Sequence, residues 1–145
     1  MNTKKLLLAF IVVFVLLEVM GYIIHGVILA STYDMAEVQA AFRPEAEMNS
    51  NMWIVWVTGL IWSFFFVFFF AKGYEGKGIM EGLRFGFYMG LFWSLVSSYQ
   101  TYAFVPMPYS LAFQWFIFGM IEMLILGFVA ALVYKPATAA KPATA

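Results

Sequence analysis

The chain has 145 residues, of which 64% are apolar and 11% charged, with a mean hydropathy of +0.87 and no cysteine. Ordinary soluble domains carry about a quarter charged residues, so that class is excluded, and with it any disulfide, thiolate metal site or cysteine nucleophile. The formal net charge is zero, so the information lies in where the charges fall along the chain.

Four apolar stretches predict an all-α bundle of four transmembrane helices, over about residues 6–30, 52–71, 79–105 and 109–134. Each is long enough to cross about 30 Å of hydrocarbon at about 1.5 Å per helical residue. Residues 1–134 therefore form one membrane domain. The first stretch starts with Lys4 and Lys5, but its apolar run exceeds the roughly 7–15 residues of a signal-peptide core, so a retained helix is expected.

The loop Ser31–Asn51 is the one sizeable extramembrane element. Asp34 and Glu37 mark a helix start, and Met35, Val38 and Phe42 share one face. A short amphipathic helix on the outer membrane surface is expected there, ended by Pro44. Arg43 can pair locally with Glu45 or Glu47. The second connection, Lys72-Gly73-Tyr74-Glu75-Gly76-Lys77-Gly78, reads as a flexible glycine-rich turn. It lacks the spacing of a phosphate loop. Glu81 and Arg84, three apart on the next helix, can pair with each other or with lipid phosphates. The third connection, Val105-Pro106-Met107-Pro108-Tyr109, is a rigid hairpin. After the last span, residues 135–145 repeat the unit KPATA and are expected to be disordered.

Seven of the eight basic residues lie at the termini or around the second turn, and Arg43 alone lies in the acidic first loop. The positive-inside rule then places both termini and the Lys72–Arg84 turn in the cytoplasm. Trp53 and Trp56 fit an outer interfacial belt, and the phenylalanines at 64–66 and 68–70 read as lipid-facing.

Ionisable groups inside a span are costly and are functional candidates by default. Glu18 lies near the centre of the first helix, with Tyr22, His25 and Leu29 on the same stripe. Glu122 lies near the centre of the fourth. Antiparallel running puts the two carboxyls at one depth and His25 about 10 Å above, level with Gln114 and Trp115. The candidate intramembrane site is therefore Glu18, Tyr22, His25, Gln114 and Glu122. Two carboxyls together in hydrocarbon cannot both be ionised without a cation between them. The ligand set is too small for a transition metal, and a single His gives no bis-histidine haem. The competing reading is a neutral polar clamp that holds the helices in register.

The third span carries Gly82, Gly86 and Gly90 at intervals of four, continued by Ser94, Ser97 and Thr101. This small-residue face permits close helix approach, within the chain or to another subunit.

Taken together, His25-Gly26, Tyr33, Arg43-Pro44-Glu45, Met48, Arg84-Phe85-Gly86, Pro106-Met107-Pro108, Trp115, Gly119 and Glu122 resemble small bacterial four-helix membrane proteins that carry no assigned function. The resemblance spans residues 6–134. It implies the bacterial inner membrane and brings no activity, cofactor or catalytic residue.

From sequence, the leading functional expectation is a non-enzymatic accessory or scaffolding module. Its partners would be the lipid bilayer and other membrane subunits, in a homo- or hetero-oligomer, with no nucleic acid. The alternative is a proton-, cation- or ligand-handling module built on Glu18, Glu122 and His25. The cofactor is left open, a His–Met haem through Met20 or Met120 being the weak alternative, no metal site is expected, and an enzyme is the least favoured class.

Overall fold

A computed structural model describes residues 2–135 of the chain as an all-helical protein. Helix α1 (Thr3–Gly21) opens on Asn2, whose side chain accepts the Lys5 backbone N–H at 3.1 Å. It runs without a break into a π-helical segment, π1 (Tyr22–Ile28), closed by Leu29 N–H donating to the Ile24 carbonyl at 2.9 Å. The first loop holds three short helices, α2 (Ala30–Tyr33), α3 (Ala36–Ala41) and α4 (Glu45–Ser50). Helix α5 (Met52–Lys72) follows. The third helical path is α6 (Ile79–Gly90), a second π segment, π2 (Leu91–Leu95), and α7 (Val96–Phe104). Helix α8 (Tyr109–Val133) completes the bundle.

Among the described residues, three helices are long and apolar enough to cross a membrane: Thr3–Ile28, Met52–Lys72 and Tyr109–Val133. The predicted third span is the one broken into α6, π2 and α7. The expected tail lies, apart from Lys135, outside the described residues.

Helix α8 is the centre of the packing, with α6 and α7 on one side and α1 on another, and α5 lies against α1. The glycine face of α6 is spent on α8. A Cβ added at Gly82 would run into the Gly127 carbonyl and sit 2.5 Å from Ala131 Cβ, and one at Gly86 would strike the Met123 carbonyl. Gly127 answers from α8, where an added Cβ would meet the Gly82 carbonyl. The two backbones thus touch directly, the arrangement that small residues make possible where apolar solvent offers no hydrophobic drive.

The half of the bundle near the termini is filled solid. Ala9, Val13, Val67, Leu126 and Ala130 are fully buried there, with Phe66, Phe70 and Tyr134 around them. The phenylalanine run is therefore not wholly lipid-facing. Phe66 and Phe70, one helical turn apart, pack on Phe85 with ring centroids 4.9 and 5.4 Å away, whereas Phe65 and Phe69 remain exposed. A helix that is apolar all round still has one face turned to its neighbours, and composition does not say which.

The connections also depart from expectation. Asp34 closes α2, and the extended Met35 precedes α3 without a side-chain cap. Val38 is buried against Met107, Leu111 and Ala112 of the third connection and α8, Phe42 packs beside them, and Met35 stays exposed. The predicted stripe thus docks on the protein through Val38 and Phe42. The second turn is held by charge. Glu81 is buried and accepts the backbone N–H groups of Glu75 at 2.6 Å and Lys77 at 2.7 Å. Its carboxylate is committed, so Arg84 pairs with Glu75 at 3.0 Å instead, as does Lys77 at 2.6 Å. These two cations hold the Glu75 carboxyl below its ordinary range. Gly76 and Gly78 supply the positive φ values, 79° and 73°, that the turn requires.

Candidate functional site

The half of the bundle nearest the first loop is not filled. A cleft of about 980 Å³ opens between the four helical paths. Both intramembrane carboxyls line it, Glu18 from α1 and Glu122 from α8. Glu18 lies over the bare Cα of Gly59 on α5, where an added Cβ would run into its Oε1. Glu122 Oε1 is buried and has no hydrogen-bond partner among the described residues. A buried acceptor without a partner costs about 1–3 kcal/mol, so a group bound in the cleft that donates to it would be stabilised.

Both π segments face this cleft. Tyr22, Ile24, His25 and Gly26 line it from π1, and Trp93 and Ser94 from π2. A π turn is a wider, rarer turn, frequent at functional sites. Two of them at one cleft re-aim residues that regular helices would have turned elsewhere. The walls are aromatic: Trp56 and Trp62 from α5, Trp93 from π2 and Trp115 from α8. Trp62 and Trp93 approach with ring centroids 6.4 Å apart. Ser97 and Ser98 of α7 add hydroxyls.

At the loop end a polar trio is fixed by hydrogen bonds. The Trp115 indole N–H donates to Tyr33 Oη at 2.7 Å, and the same oxygen lies 2.6 Å from His25 Nδ1. An indole can only donate, so in the arrangement that uses each group once, the Tyr33 O–H is given to Nδ1 and the imidazole proton sits on Nε2. His25 also meets Trp115 edge to face, with centroids 6.4 Å apart. Burial pushes the Tyr33 hydroxyl up to about 12, against the opposing effect of the Trp115 hydrogen bond.

Of the five residues expected at the site, Glu18, Tyr22, His25 and Glu122 line the cleft, and Gln114 does not. Gln114 lies one residue before Trp115, the first residue of α8 in the lining. Its Oε1 is buried without a hydrogen-bond partner among the described residues. Tyr22 is 71% exposed and sits across Gly26, so it forms the rim rather than the floor. Trp56, expected in the interfacial belt, is a cleft residue. The sequence reading missed Tyr33, Trp62 and Trp93. A signal existed for the tryptophans: both lie away from the span ends, where an interfacial anchor has no use. Among the described residues, no three His, Asp or Glu side chains come together as a metal ion would need.

No family model, curated protein or solved structure matches this chain.

Proposed function

We propose that the protein is a four-crossing membrane protein that holds a small ligand or cation in the cleft between its helices, with Glu18 and Glu122 as the polar contacts. The observation that carries the reading is the coincidence, in one half of the bundle, of a large cleft, two carboxyls and both π segments. A polar clamp would draw its groups together and leave no space. Here Glu122 Oε1 has no protein partner, and the volume is at the upper end of the roughly 300–1,000 Å³ typical of ligand sites. The third of the four crossings is the path Ile79–Phe104, close to 40 Å long at about 1.5 Å per residue. The basic ends are assigned to the cytoplasm of a bacterial inner membrane, in line with the charge asymmetry and the resemblance above.

The glycine face of α6 is occupied by α8 of the same chain, so it does not by itself support recruitment of another subunit. The test uses the absence of cysteine. A thiol introduced by Ser97→Cys in the cleft should react with a small membrane-permeant thiol reagent, and Ser63→Cys, fully buried in the closed half, should not. Equal protection of both positions would show that the cleft is closed to small molecules and would remove the proposal.

A further inference from the structure

The chemistry of the cleft walls selects the charge of the occupant. We infer that the cleft binds lipophilic organic cations, an amine or onium head group on an apolar body; this rests on the ligand-binding reading above and adds the class of ligand. The first argument is sign. Glu18 and Glu122 are the acidic groups of the lining, and no Lys or Arg belongs to it. His25 is the basic side chain of the lining, and its Nδ1 is taken up by Tyr33; elsewhere among the described residues Arg43 pairs with Glu47 at 3.3 Å, and Lys77 and Arg84 pair with Glu75. An anion would meet two carboxyls with no Lys or Arg in the lining to offset them.

The second argument is the aromatic wall. Trp56, Trp62, Trp93 and Trp115 present indole rings to one cavity. Ring faces are negative, and indole is the strongest of the natural side chains in attracting a cation. The third argument separates an organic cation from a metal ion or a bare proton. A small metal ion must exchange its water shell for ligands, and no group of three His, Asp or Glu is present among the described residues. An onium ion is weakly hydrated and brings apolar surface that the indoles bury. A cleft of about 980 Å³ is far larger than either inorganic ion needs. The unpartnered Glu122 Oε1 then acquires its counter-charge from the ligand.

The experiment uses two ions of nearly the same size and shape and opposite charge, tetraphenylphosphonium and tetraphenylborate, in equilibrium dialysis against the full chain in mild detergent, with protein-free micelles subtracted. Saturable, stoichiometric uptake of the phosphonium is expected, with at least tenfold weaker uptake of the borate. Glu122→Gln, which keeps size and hydrogen-bonding capacity, should weaken the phosphonium at least tenfold. Trp93→Leu should weaken it severalfold without the carboxyls being touched, and Phe104→Leu, on a residue 87% exposed and outside the cleft, should leave it unchanged. Equal saturable binding of both ions, each lost in Trp93→Leu, would overturn the charge selection while leaving a ligand cleft. Saturable binding of neither ion would overturn both.

Discussion

Replacing Gly86 by alanine tests the contact on which the bundle depends. The new Cβ would lie 3.0 Å from Leu124 Cα and closer still to the Met123 carbonyl oxygen, both backbone atoms that cannot rotate away. Comfortable separations are about 3.5–4 Å, so α6 and α8 must part by roughly 1 Å, which forfeits a quarter to a half of each dispersion contact along the seam. Overpacking of this kind typically costs about 1–3 kcal/mol, and the better helix propensity of alanine returns about 1 kcal/mol. A net loss of up to about 2 kcal/mol follows. Gly21 is the control: it is helical, with φ −56° and ψ −47°, and an added Cβ meets nothing within 4 Å. Gly21→Ala should therefore be neutral or stabilising by up to about 1 kcal/mol. Reversible unfolding in mixed micelles of rising dodecyl sulfate fraction, followed by far-UV circular dichroism, reads both. A Gly86→Ala protein as stable as Gly21→Ala would refute the reasoning, because helix propensity alone would then account for both.

Three other outcomes are expected. A topology reporter fused after Lys135 should be active only in its cytoplasmic form, and periplasmic activity there would reverse the assigned orientation. Tyr33 should be missing from the tyrosines that ionise near pH 10 and appear near 12; its contribution to stability is present below about pH 10 and is lost as pH rises through about 12, because the folded state keeps a proton that the unfolded chain releases. Tyr33→Phe should remove that late component from an ultraviolet alkaline titration, and an unchanged curve would show that the hydroxyl is not buried. For Glu75 the sign is opposite: Lys77 and Arg84 hold its carboxyl low, so its contribution is present above the ordinary carboxylate pKa and is lost as pH falls through the folded value. Glu75→Gln should flatten the acid limb of a stability–pH profile, and an unaltered limb would show that the turn does not depend on that charge.

What could be read in the sequence is what depends on sums and spacings. Apolar runs report helices, and Gly82, Gly86 and Gly90 at intervals of four report a face where backbones can meet. Glu18 and Glu122 stand out because a carboxyl in hydrocarbon is costly wherever it sits. What could not be read depends on rotation about a helix axis. Gln114 and Trp115 are adjacent and at nearly the same depth, yet only Trp115 lines the cleft. The π segments escaped for a related reason: no composition marks the residue at which a helix changes from 3.6 residues per turn to a wider one, and each change re-aims every side chain beyond it. Tyr33 was missed because its partners, His25 and Trp115, reach it from two different helices.

The division of the bundle into a solid half and a hollow half bears on how such a small protein can hold a site at all. Packing near the termini is backbone-close at the α6–α8 seam and filled by fully buried residues such as Val13, Val67 and Leu126. That half can carry the stability. The other half then tolerates features that a merely space-filling bundle would not keep: two π segments, a carboxylate oxygen without a partner, and bulky indoles lining space instead of filling it. Each is a local violation of what favours folding, and such violations persist where function requires them and the surrounding structure compensates. Their convergence on one cleft is a stronger argument than any of them alone, because independent packing faults would have no reason to face the same cavity. The cap formed by Val38, Met107, Leu111 and Ala112 ties the first loop to α8 at the end where that cavity lies. The loop thereby holds Tyr33 against His25 and Trp115, so one end of the cleft is set by the longest connection between the helices.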